Sequence, residues 1–241
     1  MSELIKKTKL FYEKGYKKKG IEYQRKYPNE ELCRFMGRNY FDIHPKKRKK
    51  IKILETGCGT GGNAWMLSRE GFSTFGVDIS SKSIDLIKKL FKKNNLKGNF
   101  KTGNFLNIPF KNVNFDLIID IFSSCCLDKE NGKKYIQEVN RKLKNNGKFF
   151  SYFPSKNSNM FKFLNKKMHD TDTMISLKNK SSYKIDHPLR FMSTNQYINL
   201  LKNNGFKIEY AEELTRTYFF RKEKFTFLVI EGKKIKPSNT S

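Results

Sequence analysis

The sequence predicts an α/β fold: a Rossmann-like, doubly wound sheet of seven strands with an antiparallel last strand. An N-terminal helical segment precedes it and an insertion follows the fifth strand. Two observations carry this reading. Runs that read as strands, near 51–54, 73–77, 99–102, 115–120 and 148–153, alternate with stretches of helical spacing, the pattern of parallel strands joined by crossover helices. Two more runs, near 207–213 and 217–230, follow without a helix between them. Residues 212–215 can turn that pair into a hairpin, so the final strand is expected to run antiparallel.

The first unit, 51–78, is the most informative. Ile51, Ile53 and Leu54 read as a buried strand, followed by Glu55 and a turn dense in glycine at 57, 59, 61 and 62. Residues 63–69 have helical spacing, with Ala64, Met66 and Leu67 apolar, and the next apolar run stops on Asp78. Glycine is needed where the backbone turns sharply and approaches a ligand. The helix that starts at the turn presents free N–H groups. An acid at the tip of the second strand can accept hydrogen bonds from both hydroxyls of a ribose. A nucleoside-containing cofactor is therefore expected.

The spacing Gly57-x-Gly59-x-x-Gly62 also satisfies the dinucleotide fingerprint, so the glycines do not choose between cofactors. Glu55 does. A carboxylate under the turn can meet an ammonium group directly or through water, whereas it would repel a pyrophosphate. An NAD(P)-dependent oxidoreductase is disfavoured on that ground and by the expected C-terminal hairpin.

The run Glu55-Thr56-Gly57-Cys58-Gly59-Thr60-Gly61 resembles the first motif of the class I S-adenosylmethionine (SAM) methyltransferases, and Asp78 stands where that family's ribose-binding acid stands. Further along, Gly103-Asn104-Phe105-Leu106-Asn107-Ile108-Pro109-Phe110 resembles the loop after the third strand. The family usually has Asp at the position of Asn104, where it meets the adenine amino group; an Asn side-chain oxygen can accept the same bond. Phe115-Asp116-Leu117-Ile118-Ile119-Asp120 resembles the fourth strand, which ends beside the transferred methyl. The helix at 137–143 and the turn Asn145-Asn146-Gly147-Lys148 resemble what precedes strand five, although only Gly147 remains of the usual Pro-Gly-Gly. Asp186-His187-Pro188-Leu189-Arg190-Phe191, a Ser-Thr cap, a helix through Leu201 and Gly205-Phe206 are similar to the C-terminal part of the small-molecule branch related to quinone-biosynthesis methyltransferases. The likeness spans 51–230, and only the first motif with Asp78 is specific.

The resemblance implies S-adenosyl-L-methionine as cofactor, bound by Glu55, Gly57, Cys58, Gly59, Gly61, Asn63, Asp78, Ile79, Asn104, Phe105 and Asp120. It implies direct displacement at the sulfonium methyl with no dedicated metal, on an O or N atom of a small-molecule acceptor. Such an acceptor must lose a proton, for which His187 and Asp120 are the candidate bases; Asp120 can instead bind substrate or cofactor. A domain division follows, with 1–44 as an N-terminal helical cap and 45–241 as the methyltransferase domain. Within it, 155–190 is a substrate-side insertion. Tyr12 and Tyr16 of the cap can close over the cofactor or serve helix packing.

Composition bounds the alternatives. A chain of 241 residues, 37% hydrophobic, can bury one core of this type. No run approaches the roughly 20 apolar residues of a membrane span. The first nine residues lack the apolar stretch of a signal peptide, so a cytoplasmic location is expected. Cys33, Cys58, Cys125 and Cys126 form no Cys-x-x-Cys pair and the histidines lie far apart, which suggests neither a zinc site nor a disulfide framework. Cys125 and Cys126 read as small residues of the core or the site wall.

Fifty Lys and Arg against 23 Asp and Glu give a formal charge of +27. Such a balance attracts polyanions, so an RNA methyltransferase using a basic surface is an alternative. Against it, lysine and asparagine recur together throughout, as in Lys92-Lys93-Asn94-Asn95 and Lys202-Asn203-Asn204, as an AT-rich coding sequence would produce. Asp120-Ile121-Phe122-Ser123 also lacks the Asn-Pro-Pro-Tyr-type motif of base amino-group methylation. A non-catalytic SAM-binding protein is the remaining alternative. Pro45-Lys46-Lys47-Arg48-Lys49-Lys50 matches a nuclear localisation pattern and reads more simply as a soluble linker into the first strand.

Overall fold

The computed structural model describes residues 2–163, 165–177 and 186–235; part of the 155–190 insertion, at 164 and 178–185, lies outside the described residues. The chain begins with α1 (Glu3–Lys19), a short turn of 3₁₀ helix (Gly20–Tyr23), α2 (Glu30–Asn39) and α3 (Pro45–Arg48). The sheet and its crossovers follow: β1 (Lys52–Thr56), α4 (Gly62–Arg69), β2 (Ser73–Asp78), α5 (Ser81–Lys93), β3 (Asn99–Thr102), β4 (Phe115–Ile121), α6 (Lys129–Lys142) and β5 (Leu143–Pro154). The insertion holds α7 (Asn159–Lys162), β6 (Lys166–Met168), β7 (Thr173–Leu177) and β8 (Leu189–Arg190). The chain closes with α8 (Thr194–Lys202), β9 (Phe206–Tyr218) and β10 (Glu223–Lys234).

The main sheet has seven strands in the order β3-β2-β1-β4-β5-β10-β9. The first five are parallel, and β10 runs antiparallel between β5 and β9. Strands that read as continuous apolar runs are the ones buried on both faces: Ile53, Leu54, Leu117, Ile118, Ile119, Phe149, Phe150 and Phe153 are all fully enclosed. The order reverses between β1 and β4, and a crevice opens there at the carboxyl ends of the strands.

Local chemistry fixes the helix starts. Asn29 caps α2 through a bond from Leu32 N–H, Asp128 caps α6 through Asn131 N–H, and Ser193 with Gln196 forms a capping box on α8. At the start of α4, Gly61 sits at φ 91°, so the turn into that helix needs glycine.

Two expectations are corrected. The C-terminal turn is not at 212–215, which lies within β9; Tyr218 pairs with Glu223, so the chain reverses through 219–222. Phe219, Phe220 and Arg221 take positive φ of 52°, 57° and 68° there, a turn made without the glycine or asparagine that would advertise it. Strand β9 is an edge strand exposed over most of its length, so Glu212 and Glu213 face water and need not break it. The basic run 45–50 is not a plain solvated linker. Arg48 is buried at 7% exposure, donating to the carbonyls of Ile43 and Phe41 and pairing with Glu70 at 2.6 Å. It pins α3 against the turn after α4, while its lysine neighbours Lys46, Lys47, Lys49 and Lys50 stay exposed.

Candidate functional site

A cavity of about 610 Å³ lies at the switch point, within the range of small-molecule and cofactor sites. Its floor is the sheet edge and the glycine turn: Glu55, Gly57, Cys58, Gly62, Asn63, Asp78 and Ile79 line it, with Asn104 and Phe105 from the loop after β3. Ser123, Cys126 and Leu127 enter from the turn after β4. The N-terminal segment forms its roof through Tyr12, Tyr16, Tyr23, Gln24 and Arg25.

The turn is held open for a close approach. Glycines 57, 59 and 61 have φ of 67°, 51° and 91°, where an L side chain is strained. A Cβ on Gly57 would lie 2.2 Å from Ser123 Oγ, and one on Gly59 would lie 1.7 Å from Gln24 Oε1. Gly59 and Gly61 shape the turn without lining the cavity themselves. Asp78 fixes the same turn, accepting from Gly59 N–H and from Ser80 N–H at 2.9 Å each. A carboxylate offers about four lone-pair sites, so two remain for a diol.

Glu55 is 3% exposed. Its Oε1 accepts from Asn63 Nδ2 at 2.7 Å, and Asn63 Oδ1 in turn accepts from Asn29 N–H at 2.8 Å, tying the entry to α2 to the turn. Its Oε2 is buried with no hydrogen-bond partner. Burial, with the Asp78 carboxylate nearby, pushes Glu55 up to about 8, outweighing the bond from Asn63. A buried acid poised this way gains most from a cation placed against Oε2. Burial also raises Asp78, against its bonds from Ser80 and Gly59.

The other sequence candidates separate. Asn104 lines the cavity, and its Oδ1 accepts from Leu106 N–H at 2.9 Å, which orders the loop. Asp120 is not among the cavity-lining residues. It is fully buried, accepting from Ser123 N–H at 3.1 Å, Ser124 N–H at 3.0 Å and the Ser124 hydroxyl. The reason is strand parity. Asp120 pairs in register with Thr56, whose hydroxyl meets Tyr135 of α6 at 2.7 Å, so both side chains turn to the α6 face. Burial pushes Asp120 up to about 6 despite the Ser124 bonds, and its role in the structure is to hold the turn that carries Cys126. His187 does not line the cavity but reaches its wall: its ring stacks on Phe11 at 4.2 Å and meets Tyr12 edge-on at 5.4 Å.

Sequence reasoning missed several wall residues. Gln24 Oε1 accepts from Thr60 N–H at 3.2 Å, a contact between distant segments that no local pattern announces. Phe122, Tyr152 and Phe227 form an aromatic wall at the ends of β4, β5 and β10, with Tyr152 and Phe227 stacked at 4.6 Å. Their positions at strand ends were the available signal. Among the described residues, no group of three or more His, Cys, Asp or Glu side chains could hold a metal ion, and no helix is long and apolar enough to cross a membrane.

Comparison with known proteins agrees with this geometry. Residues 53–147, from β1 into β5, match the family described as a methyltransferase domain. The chain is 35% identical over 111 residues to a ubiquinone biosynthesis O-methyltransferase of Pelagibacter ubique, covering 41% of this chain and 46% of that protein. It is 30% identical over 115 residues to a norajmaline N-methyltransferase of Rauvolfia serpentina, covering 46% and 37%. The chain thus spans less than half the length of these curated relatives. A SAM-dependent methyltransferase structure from Methanosarcina mazei aligns at a TM-score of 0.65 and 20% identity, over 76% of this chain and 92% of that one. At this identity the likeness speaks for the fold, and the sequence match falls on the half of the sheet that carries the glycine turn. Residues 53–147 thus carry a methyltransferase domain, within a chain that has the fold of SAM-dependent methyltransferase structures.

Proposed function

We propose that this chain transfers a methyl group from SAM to an O or N atom of a small-molecule acceptor. The observation that carries the proposal is the composition of the cavity. One end offers the unpartnered Glu55 Oε2 and the Asp78 carboxylate beside a glycine turn; the other is walled by Tyr12, Phe122, Tyr152 and Phe227. When bound, SAM supplies the electrophilic methyl. In this reading Glu55 meets the amino-acid ammonium, Asp78 the ribose hydroxyls and Asn104 the adenine amino group. Gly57 leaves room for close backbone approach, with Cys58, Asn63, Ile79 and Phe105 lining the same end.

The aromatic end suits a flat or apolar acceptor, which apolar burial and ring stacking hold against the methyl. Side chains of α1 and the 20–29 segment cover part of the cavity, which favours a small acceptor over a nucleic-acid duplex. The two relatives, one an N-methyltransferase and one an O-methyltransferase, support the same acceptor range. The test is tritium transfer from methyl-labelled SAM into a panel of phenols and amines, and separately into total RNA. Label in the small molecules is the expected result; stoichiometric label at one RNA position would replace the small-molecule reading.

A further inference from the structure

Three segments far apart in sequence meet at the acceptor side of the cavity. Cys126 comes from the turn after β4, Tyr12 from α1 and His187 from the end of the insertion. The Cys126 thiol lines the cavity, and Tyr12 Oη lies 3.6 Å from its sulfur. His187 packs against the same tyrosine, its ring edge-on to Tyr12 at 5.4 Å and stacked on Phe11 at 4.2 Å and 23°. The imidazole Nδ1 is buried without a partner. Neither Asp120, held against α6, nor Glu55, at the cofactor end, is placed to take a proton from an acceptor on this side.

We propose that Cys126 is the proton acceptor for the methyl acceptor, with Tyr12 and His187 as the positioning residues that stabilise its thiolate. The proposal rests on the methyltransferase reading above. In the step it describes, an acceptor O–H or N–H gives its proton to Cys126 Sγ. The acceptor lone pair forms the new bond to the methyl carbon, and the pair of the breaking carbon–sulfur bond returns to the cofactor sulfur as a neutral thioether. Cys126 then releases its proton to solvent, and no oxidant or reductant is required.

The electrostatic surroundings favour Cys126 over its neighbour. Hydrogen bonding from Cys125 and then from His187 and Tyr12 holds Cys126 well below the ordinary thiol range, against its burial. Burial pushes Cys125, fully enclosed, the other way. The other ionisable groups facing the thiol are Tyr16 on α1 and Asp78 at the end of β2. Asp78 opposes the thiolate, while His187 and the two hydroxyl or thiol donors support it.

The experiment is residue-resolved iodoacetamide alkylation of the full chain between pH 5 and 10, read by peptide mass spectrometry. Cys33, Cys58 and Cys125 serve as internal references. Cys126 is expected to titrate below the roughly 8.5 of a free thiol. His187→Gln should raise that midpoint by about one unit, which lowers the alkylation rate at pH 7 roughly tenfold. Tyr12→Phe should act in the same direction and by less. With the acceptor found by the tritium panel, Cys126→Ser should lower kcat and remove the acidic limb of the pH profile, leaving S-adenosylhomocysteine affinity within about twofold. A Cys126 that reacts no faster than Cys125, or a serine variant with an unchanged pH profile, overturns the proposal. Calorimetry on the wild-type chain separates the two levels: failure to bind S-adenosylhomocysteine would overturn the methyltransferase reading, whereas binding with an ordinary Cys126 overturns only the proton route.

Discussion

The two ends of the cavity are built on different plans. The cofactor end comes largely from one stretch of chain, 55–79, in which a strand, a glycine turn, a helix and a second strand are consecutive. The acceptor end is assembled from α1, the 20–29 segment, the turn after β4 and the ends of β5 and β10, with the insertion's His187 behind its wall. Local construction makes the first end rigid: Asp78 accepts from the turn at Gly59 N–H, and Asn63 donates to Glu55 at the end of β1. The second end depends on tertiary contacts such as Gln24 with Thr60 and Glu13 with Ser80, any of which can change without altering the sheet. Recognition of the cofactor should therefore fail sharply on substitution, and recognition of the acceptor gradually.

The largest effect is expected at Asp78. If Asp78 holds the ribose as proposed, Asp78→Ala removes two charge-assisted bonds worth about 1.5–3 kcal/mol each, so S-adenosylhomocysteine affinity should fall on the order of 100-fold or more. Because Asp78 also holds Gly59 and Ser80, a melting curve must accompany the calorimetry. A folded variant with unchanged affinity would remove the ribose role and with it the division between the two ends.

Glu55 gives the next effect, with opposite signs on stability and on binding. Its carboxyl is raised from the ordinary range to about 8, so between about pH 4.5 and 8 the folded chain holds a proton that the unfolded chain has lost. Ligand-free stability should therefore fall as pH rises through that window. Glu55→Gln should flatten the dependence and stabilise the ligand-free chain at pH 8 by on the order of 1–3 kcal/mol, a rise of roughly 3–9 °C in Tm. The same variant should bind SAM about tenfold more weakly while losing little affinity for adenosine, since the missing charge faces the amino-acid end. Equal losses for both ligands would show that Glu55 supports only the turn.

The contrast also explains what the sequence could disclose. Glycine spacing, Glu55 and Asp78 were readable because positive φ and a strand-tip acid leave marks within 25 residues or so of chain. The central strands β1, β4 and β5 were readable because strands buried on both faces are runs of Ile, Leu and Phe. The C-terminal turn was not, since an exposed edge strand can carry Glu212 and Glu213 and its reversal uses Phe219 and Phe220. Asp120 was placed at a strand tip correctly, but only its register against Thr56 reveals which face it takes. Arg48 vanished in a basic run because burial is decided by Phe41, Ile43 and Glu70, which do not sit in its motif.

At the acceptor end a smaller effect is expected. Phe122 faces Tyr152 and Phe227 with ring centroids at 5.9 and 5.6 Å. Phe122→Leu keeps an apolar wall and removes the ring contacts, each worth about 0.5–1.5 kcal/mol. The KM for the acceptor should rise roughly threefold to tenfold, with S-adenosylhomocysteine affinity unchanged within about twofold. A cofactor loss as large as the acceptor loss would mean that the two ends are not separable.

The smallest effect, and the one that sharpens the comparison most, concerns salt. Little of the +27 charge belongs to the cavity: its walls hold one exposed arginine, Arg25, and no lysine, while most lysines among the described residues are exposed. If the acceptor is small, turnover at saturating SAM should change by less than about twofold between 50 and 200 mM salt, because few counterions move when it binds. A polyanion touching six to ten phosphates would instead lose about 10³–10⁵ in affinity over that range through counterion release. Nonspecific RNA binding should still occur at low salt, since surface lysines attract phosphate whatever their origin. The decisive comparison is therefore between two salt slopes measured on one preparation, RNA binding against methyl transfer. A steep slope for binding beside a flat one for transfer separates the charge from the chemistry. A steep slope for both would join them and move the acceptor from the aromatic wall to the basic surface.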